Sequence, residues 1–263
     1  MSDVEVIVLD IDGGAMLRDC IDSIKKQSVA PRDVIVFDNG SRMPLQLAGV
    51  RIIRSETNVG FAAGVNAAYR QTTAGYVALV NNDVILDRGW LATVKKALDR
   101  DVRIGAAQTV IRRDEQIVDG AGIDISDGTF RQIGHGLPLG ARLSNAWGVS
   151  ATAALYRRAA LGERVFDERF FAYYEDVELC ARLHAGEWRT IVLPVSKATH
   201  RGSASASLLG RGAQRLRTRN RYWVARMHRG VGRISSLLLE DVKLLLRGRS
   251  SLRGMIEGMC SRL

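Results

Sequence analysis

The first hundred residues alternate short apolar runs with amphipathic stretches. Val4–Leu9 reads as a buried strand, Asp33–Phe37 as a second, Val50–Arg54 as a third and Tyr76–Val80 as a fourth. Between them, Ala15–Gln27 sets Leu17, Ile21 and Ile24 on one helical face, and Phe61–Gln71 and Trp90–Leu98 also read as helices. Strand–helix alternation at this spacing predicts an α/β fold whose mostly parallel sheet is covered on both faces. Ligands of such sheets gather beyond the carboxyl ends of the strands. The polar clusters after the second, third and fourth strands are therefore candidate sites.

After Gly105 the rhythm changes. Ile117–Gly136, with its Asp127-Gly128 turn, predicts a β-hairpin. Ser150–Tyr156 reads as a strand, Val177–His184 as a helix and Thr190–Leu193 as a short strand. Residues 201–212 are rich in Gly, Ser and Ala, a flexible connection by composition. Ala213–Met227 and Ile234–Arg247 are helical in pattern, with arginines on the polar side. The pattern divides the chain into a body over 1–212, itself changing character near 104, and a basic helical extension over 213–263.

Charge sharpens that division. The net charge of +10 is concentrated in residues 201–263, which hold 14 Lys and Arg against 3 Asp and Glu, whereas the rest of the chain is close to neutral. Such a tail attracts polyanions: nucleic acid, anionic lipid or a phosphorylated acceptor. Cys20, Cys180 and Cys260 are widely spaced and lack metal-ligand spacing, which suits a reducing compartment. No signal-peptide pattern and no apolar run of membrane-spanning length is visible, so a cytoplasmic protein is expected, one that can still sit peripherally on the inner face of a membrane.

Four clusters carry candidate chemistry. Asp38-Asn39-Gly40-Ser41 follows a strand and reads either as an ordinary turn or as a contact to a base or ribose. Asn58-Val59-Gly60-Phe61-Ala62-Ala63-Gly64-Val65-Asn66 feeds a helix, and its glycines allow a phosphate or nucleoside close to the backbone. Asn81-Asn82-Asp83 ends a strand with one carboxylate flanked by amides, which suits a hydrated Mg²⁺ or Mn²⁺ better than it suits packing. Phe170-Phe171-Ala172-Tyr173-Tyr174-Glu175-Asp176 runs aromatics into paired carboxylates at a helix start. These are either dipole-stabilised acids beside core aromatics or a proton acceptor beside sugar-stacking rings. His200 is a lone histidine and by itself decides nothing.

In this order the clusters resemble the family 2 glycosyltransferases of the GT-A fold, above all their bacterial rhamnosyltransferase-like branch, over about residues 4–200. The resemblance implies a GT-A nucleotide-sugar fold, with a donor half over about 1–104 and an acceptor and catalytic half over 105–212. It implies that Asp38 contacts the base, and that Asn39, Asn58, Gly60, Phe61, Gly64 and Asn66 border the donor. Asn82 lies near the donor ribose or sugar, and Asp83 and His200 help hold a divalent cation, Mg²⁺ or Mn²⁺. Asp176 is the implied general base, with Glu175 the alternative. The sequence departs from the family's Thr-Tyr-Asn-like turn at Leu9–Gly14, and its metal triplet begins with Asn81 rather than Asp.

The activity implied is inverting, metal-dependent transfer of a sugar, rhamnose being one candidate, from a nucleoside-diphosphate donor to a saccharide or lipid-linked acceptor in surface-polysaccharide synthesis. Trp147, Tyr173 and Tyr174 are candidate acceptor-stacking faces, with core packing the equal alternative. The tail, with Leu237, Leu238, Val242 and Leu245 to one side, is expected to govern where the protein works rather than its chemistry, on an anionic bilayer or in a homodimer. A sugar nucleotidyltransferase would need basic residues in the first-strand loop, and none occurs before Arg18. A nucleic-acid module is disfavoured because the tail lacks a recognition motif. A non-catalytic scaffold is the remaining rival.

Overall fold

Alternate residues of the central strands are apolar on both sides, and in the computed structural model, which describes residues 2–202 and 211–261, helices cover both. Strands β1 (Val4–Asp10), β2 (Asp33–Asn39), β3 (Arg51–Ser55) and β4 (Tyr76–Val80) pair in parallel, in the order β3-β2-β1-β4. Val6, Val8, Val34 and Val36 point to one face. There they meet Leu17, Ile21 and Ile24 of α1 (Ala15–Lys25) and Trp90, Val94 and Leu98 of α3 (Trp90–Arg100). The intervening Ile7, Ile35 and Phe37 point to the other face, against Val65 and Ala68 of α2 (Phe61–Tyr69) and Leu179 and Leu183 of α5 (Glu175–Ala185).

The sheet continues through β10 (Ala153–Arg157), β6 (Ile104–Arg112), β11 (Arg189–His200) and β5 (Val84–Leu86). Strand β10 is antiparallel to both neighbours, and β11 is parallel to β6 but antiparallel to β5. Mostly parallel pairing therefore holds for the amino-terminal half, and the whole sheet is mixed. The inversion at β10 matters for the site. Ala153 stands opposite Val80, and the Asn81 N–H donates to the Thr152 carbonyl at 2.9 Å. Residues 150–152 are thus delivered to the carboxyl edge of β4.

The predicted hairpin is two short pairings: β7 (Val118–Gly120) on β6, and β8 (Ile123–Asp124) with β9 (Arg131–Gln132) across the Asp127-Gly128 turn. The short strand foreseen at Thr190–Leu193 is twelve residues long. Register shifts between Leu193 and Ser196 and between Ser196 and Ala198 absorb Pro194, and the strand runs on to His200. A four-residue helix, α4 (Arg158–Leu161), follows β10.

Helices α6 (Arg211–Met227), α7 (Ile234–Leu245) and α8 (Leu252–Cys260) complete the described chain, α8 being unforeseen. Most of the Gly, Ser and Ala-rich segment lies outside the described residues. Trp223 and Val224 of α6 pack with Phe170 and Val177, and Tyr222 packs with Leu237 and Met255. Leu237 is therefore buried within the protein rather than turned outward, with Leu238 and Leu245 packed against the same cluster, while Ile234, Leu239 and Val242 of α7 and Leu246 just beyond it are exposed. Cys20 and Cys180 are free and buried, and Cys260 is free and exposed. No described helix is long and apolar enough to cross a membrane.

Candidate active site

The polar clusters converge at the carboxyl ends of the parallel strands. Asp38, fully buried at the end of β2, is heavily engaged. Oδ1 accepts from the Ser41 N–H (3.0 Å), and Oδ2 accepts from the Leu45 N–H (3.4 Å) and the Arg54 guanidinium (2.5 Å). Burial alone would raise its carboxyl, but the bonds from Ser41 and Arg54 hold it below the ordinary range. Asp10, fully buried at the end of β1, accepts from the Gly13 N–H (2.6 Å) and the Asn82 side-chain amide (2.5 Å). Burial raises the Asp10 carboxyl against those two bonds. The unusual first-strand turn is thus a built loop whose first carboxylate orients Asn82. The sequence singled out this turn only as a departure.

Asp83 and His200 are brought together by the pairing of β5 with β11, where His200 stands opposite Val84. His200 Nε2 lies 3.2 Å from Asp83 Oδ2, and Nδ1 lies 2.7 Å from Asp119 Oδ2. Burial would lower the imidazole pKa, but the bonds to Asp119 and Asp83 raise it to about 9. Asp83 Oδ1 is buried with no hydrogen-bond partner among the described residues. A buried, unpartnered carboxylate oxygen beside an imidazole nitrogen fits a divalent cation. Among the described residues no group of three ligating side chains could hold one. Two protein ligands plus diphosphate oxygens and water are the arrangement such a cation takes. Asp119 was not legible as a site residue, being a lone acid on β7 that only the fold carries to His200.

The loop before α2 meets the loop before α5. Gly60 has φ +89°, and a Cβ there would lie 2.6 Å from the Phe171 ring. The Ala62 N–H donates to the Phe171 carbonyl at 3.1 Å, and Phe61 packs on Phe166 with centroids 5.8 Å apart. The Asn39 amide donates to Asn58 Oδ1 (3.0 Å) and its oxygen accepts from the Val59 N–H (2.9 Å), so these two residues shape the loop. Asn66 is occupied internally: its amide donates to the Phe166 carbonyl and Glu168, and its oxygen accepts from the Val165 and Phe166 N–H groups. Gly64 lets α2 pack closely on the sheet, since a Cβ there would lie 2.4 Å from the Leu9 side chain.

Asp176 is part-exposed at the start of α5, and Oδ2 accepts from the Ala151 N–H at 3.3 Å. Because Thr152 is bonded to Asn81, Asp176 and the Asp83 cluster flank one short segment, residues 150–152. Glu175 is buried, with Oε2 unpartnered among the described residues. Burial, and then the Asp176 charge, push the Glu175 carboxyl well above the ordinary range. Burial raises Asp176 as well, against the bonds from Ala151 and Val177. Of the candidate stacking faces, Trp147 packs edge-on against His184 (4.9 Å) and Tyr174 against Phe130 (5.6 Å), both in apolar clusters. The Tyr173 ring is covered by the Arg217 guanidinium at 4.3 Å.

Residues 6–165 match the family described as "Glycosyl transferase family 2". The chain belongs to that family. This family 2 glycosyltransferase is 27% identical over 240 residues to an N-acetylglucosaminyl-diphospho-decaprenol L-rhamnosyltransferase of Mycobacterium tuberculosis, covering 76% of each chain. Among solved structures it resembles GalNAc-T7 with UDP, GalNAc and Mn²⁺ (TM-score 0.64, 13% identity), over 85% of this chain and 47% of that one, so it spans about half of that relative's length. It also resembles a mannosyltransferase of Pyrobaculum calidifontis with GDP-Man and Mn²⁺ (TM-score 0.60, 16% identity, 96% of this chain and 77% of that one). The fold is GT-A, and the protein is a glycosyltransferase of the rhamnosyltransferase-like branch.

Proposed function

We propose that this glycosyltransferase moves a sugar, rhamnose on the reading its relative favours, from a nucleoside-diphosphate donor to an acceptor hydroxyl with inversion. One observation carries the reading. The short segment before β10 bonds through Thr152 to the strand end bearing Asp83 and through Ala151 to Asp176. A carboxylate for the acceptor's proton and a cation-binding pair for the departing diphosphate therefore flank one place. Asp176 accepts the acceptor hydroxyl's proton as that oxygen attacks the anomeric carbon, and its raised pKa brings it nearer the operating pH, where a base works best. Burial pushes the Glu175 carboxyl toward its neutral form, which favours Asp176 as the acceptor of that proton. Asp83 and His200 hold Mg²⁺ or Mn²⁺, with Asp119 fixing the His200 ring from the far nitrogen. When bound, the cation neutralises charge on the leaving diphosphate. Asp10 fixes the Asn82 amide toward the donor side of the edge.

The acceptor we infer is lipid-linked, as the name of the mycobacterial relative states for that protein. Leu239 and Val242 of α7 and Leu246 just beyond its end fall on one side by spacing, with Lys243 and Arg247 beside them, and Leu252 and Ile256 are exposed on α8 with Arg253. Apolar and basic side chains together suit an anionic bilayer surface. NMR of the product tests the reaction: an anomeric configuration opposite to the donor's supports single displacement, and retention overturns it.

A further inference from the structure

The loop entering α5 is strained. Phe171, Tyr173 and Tyr174 have φ of 64°, 70° and 68°, a left-handed backbone that bulky residues rarely adopt, immediately before Glu175 and Asp176. Such a conformation persists only where its surroundings over-determine it. On one side the donor loop does so, through Ala62 and Gly60 on Phe171. On the other side stands α6, and the contact there is specific. Asn220 is fully buried, and its side-chain amide nitrogen lies 2.9, 2.8 and 2.7 Å from the carbonyl oxygens of Phe170, Ala172 and Tyr173. Two N–H groups thus serve three carbonyls of one turn, an arrangement no other side chain of this size supplies. The Asn220 oxygen accepts from Arg219 Nε at 2.8 Å, which fixes the amide's orientation. The Arg219 guanidinium reaches the Arg169 and Phe170 carbonyls at 3.2 Å, and Arg217 covers the Tyr173 ring. His228, just past the end of α6, lies 3.3 Å from Glu178 of α5.

We infer that Asn220 is a positioning residue for the transfer reaction: by gathering the Phe170, Ala172 and Tyr173 carbonyls it sets the direction in which α5 presents Asp176. The carboxyl-terminal helix is then part of the catalytic geometry and not only a means of localisation. This rests on the reading of Asp176 as the base. An ordinary buried asparagine would stabilise the fold without touching the proton-transfer step, so the two roles separate in the pH profile.

The test uses the full chain with Mn²⁺, following nucleoside-diphosphate release from whichever UDP-, dTDP- or GDP-sugar the wild type consumes. Asn220→Ala and Asn220→Asp both remove the clamp. Thr218→Ala, on the same helix but facing Ser250, is the packing control. The expected result is an unchanged donor KM, kcat lowered by about 10²-fold through misplacement of the base, and a displaced acid limb in the pH profile, while Thr218→Ala keeps the wild-type profile. If both Asn220 variants fail to fold, Asn220→Ser keeps a polar group but cannot span three carbonyls, and it is expected to show the same split. Wild-type kcat and pH profile in the folded variants overturn the inference. Asp176→Asn run in parallel separates the two claims. If it loses turnover while the Asn220 variants do not, only the positioning role falls; if it retains turnover, both fall.

Discussion

Asp176 and Glu175 share a chemistry and differ in surroundings. Asp176 is part-exposed and bonded to Ala151, whereas Glu175 is buried with an oxygen unpartnered among the described residues and a carboxyl pushed toward its neutral form. Asp176→Asn is expected to leave donor binding nearly intact and to lower turnover by the roughly 10²–10⁴-fold typical of a lost general base. Glu175→Gln, an isosteric replacement for a neutral acid, is expected to stay near wild type, and steady-state kinetics that reverse this order would move the base by one residue. Asp119 makes its own prediction, since it orients the His200 imidazole. Asp119→Ala is expected to weaken Mn²⁺ binding, followed by electron paramagnetic resonance, by about 10–100-fold. Asp119→Asn, which can still accept from Nδ1–H, is expected to lose less. Because His200 without metal holds its proton up to about pH 9 and must release it to ligate, Mn²⁺ affinity is expected to rise with pH toward that value. The Asp38, Asn58, Asp83 and Asp176 clusters stood out through their order along the chain, which resembles the family's, since singly the turn and helix-start residues have ordinary structural readings. Asp119 and Asn220 were not. A single acid in a short hairpin strand and an amide inside an arginine-rich helix look like surface until the fold carries the first to His200 and buries the second.

Elements were legible where pattern and propensity agree. Strands β1, β2 and β4 are predominantly apolar runs, interrupted only by Glu5 in β1, and each lies within a residue or two of its expected place. Strand β11 was read as a third of its length because Pro194, Ser196 and Lys197 interrupt its apolar run, and the bulges that accommodate them have no local signature. Helix α8 was missed because Gly254 and Gly258 lower its helical propensity. Those glycines are what let it approach α6: a Cβ on either would lie 2.6–2.7 Å from the Arg215 or Arg219 carbonyl oxygen. Gly60 joins two elements in the same way. Gly60→Ala combines φ +89° with a clash against Phe171, so it is expected to destabilise the protein by more than about 1 kcal/mol in chemical denaturation. An unchanged midpoint would show that the two loops are not packed as described.

At the scale of the molecule, the antiparallel strand β10 shapes the candidate site: it returns residues 150–152 to the edge formed by the parallel half, where they bond to Asn81 on one side and Asp176 on the other. The sequence implied this meeting only through family resemblance, because strand direction is set by long-range pairing. The basic extension has two faces. Its inner face grips the α5 loop, and its outer face leaves Leu239, Val242 and Leu246 exposed near basic residues. Co-sedimentation with liposomes is expected to increase with anionic lipid content and to fall as salt screens the attraction. Indifference to lipid charge would assign those arginines to another partner. The central claim, that Asp83 and His200 hold a cation that the transfer requires, is tested most directly by donor turnover in Mn²⁺ and in excess chelator, for the wild type and for Asp83→Ala. Turnover that requires Mn²⁺ in the wild type and is absent from the variant under both conditions is the result predicted; full wild-type turnover in chelator would contradict it.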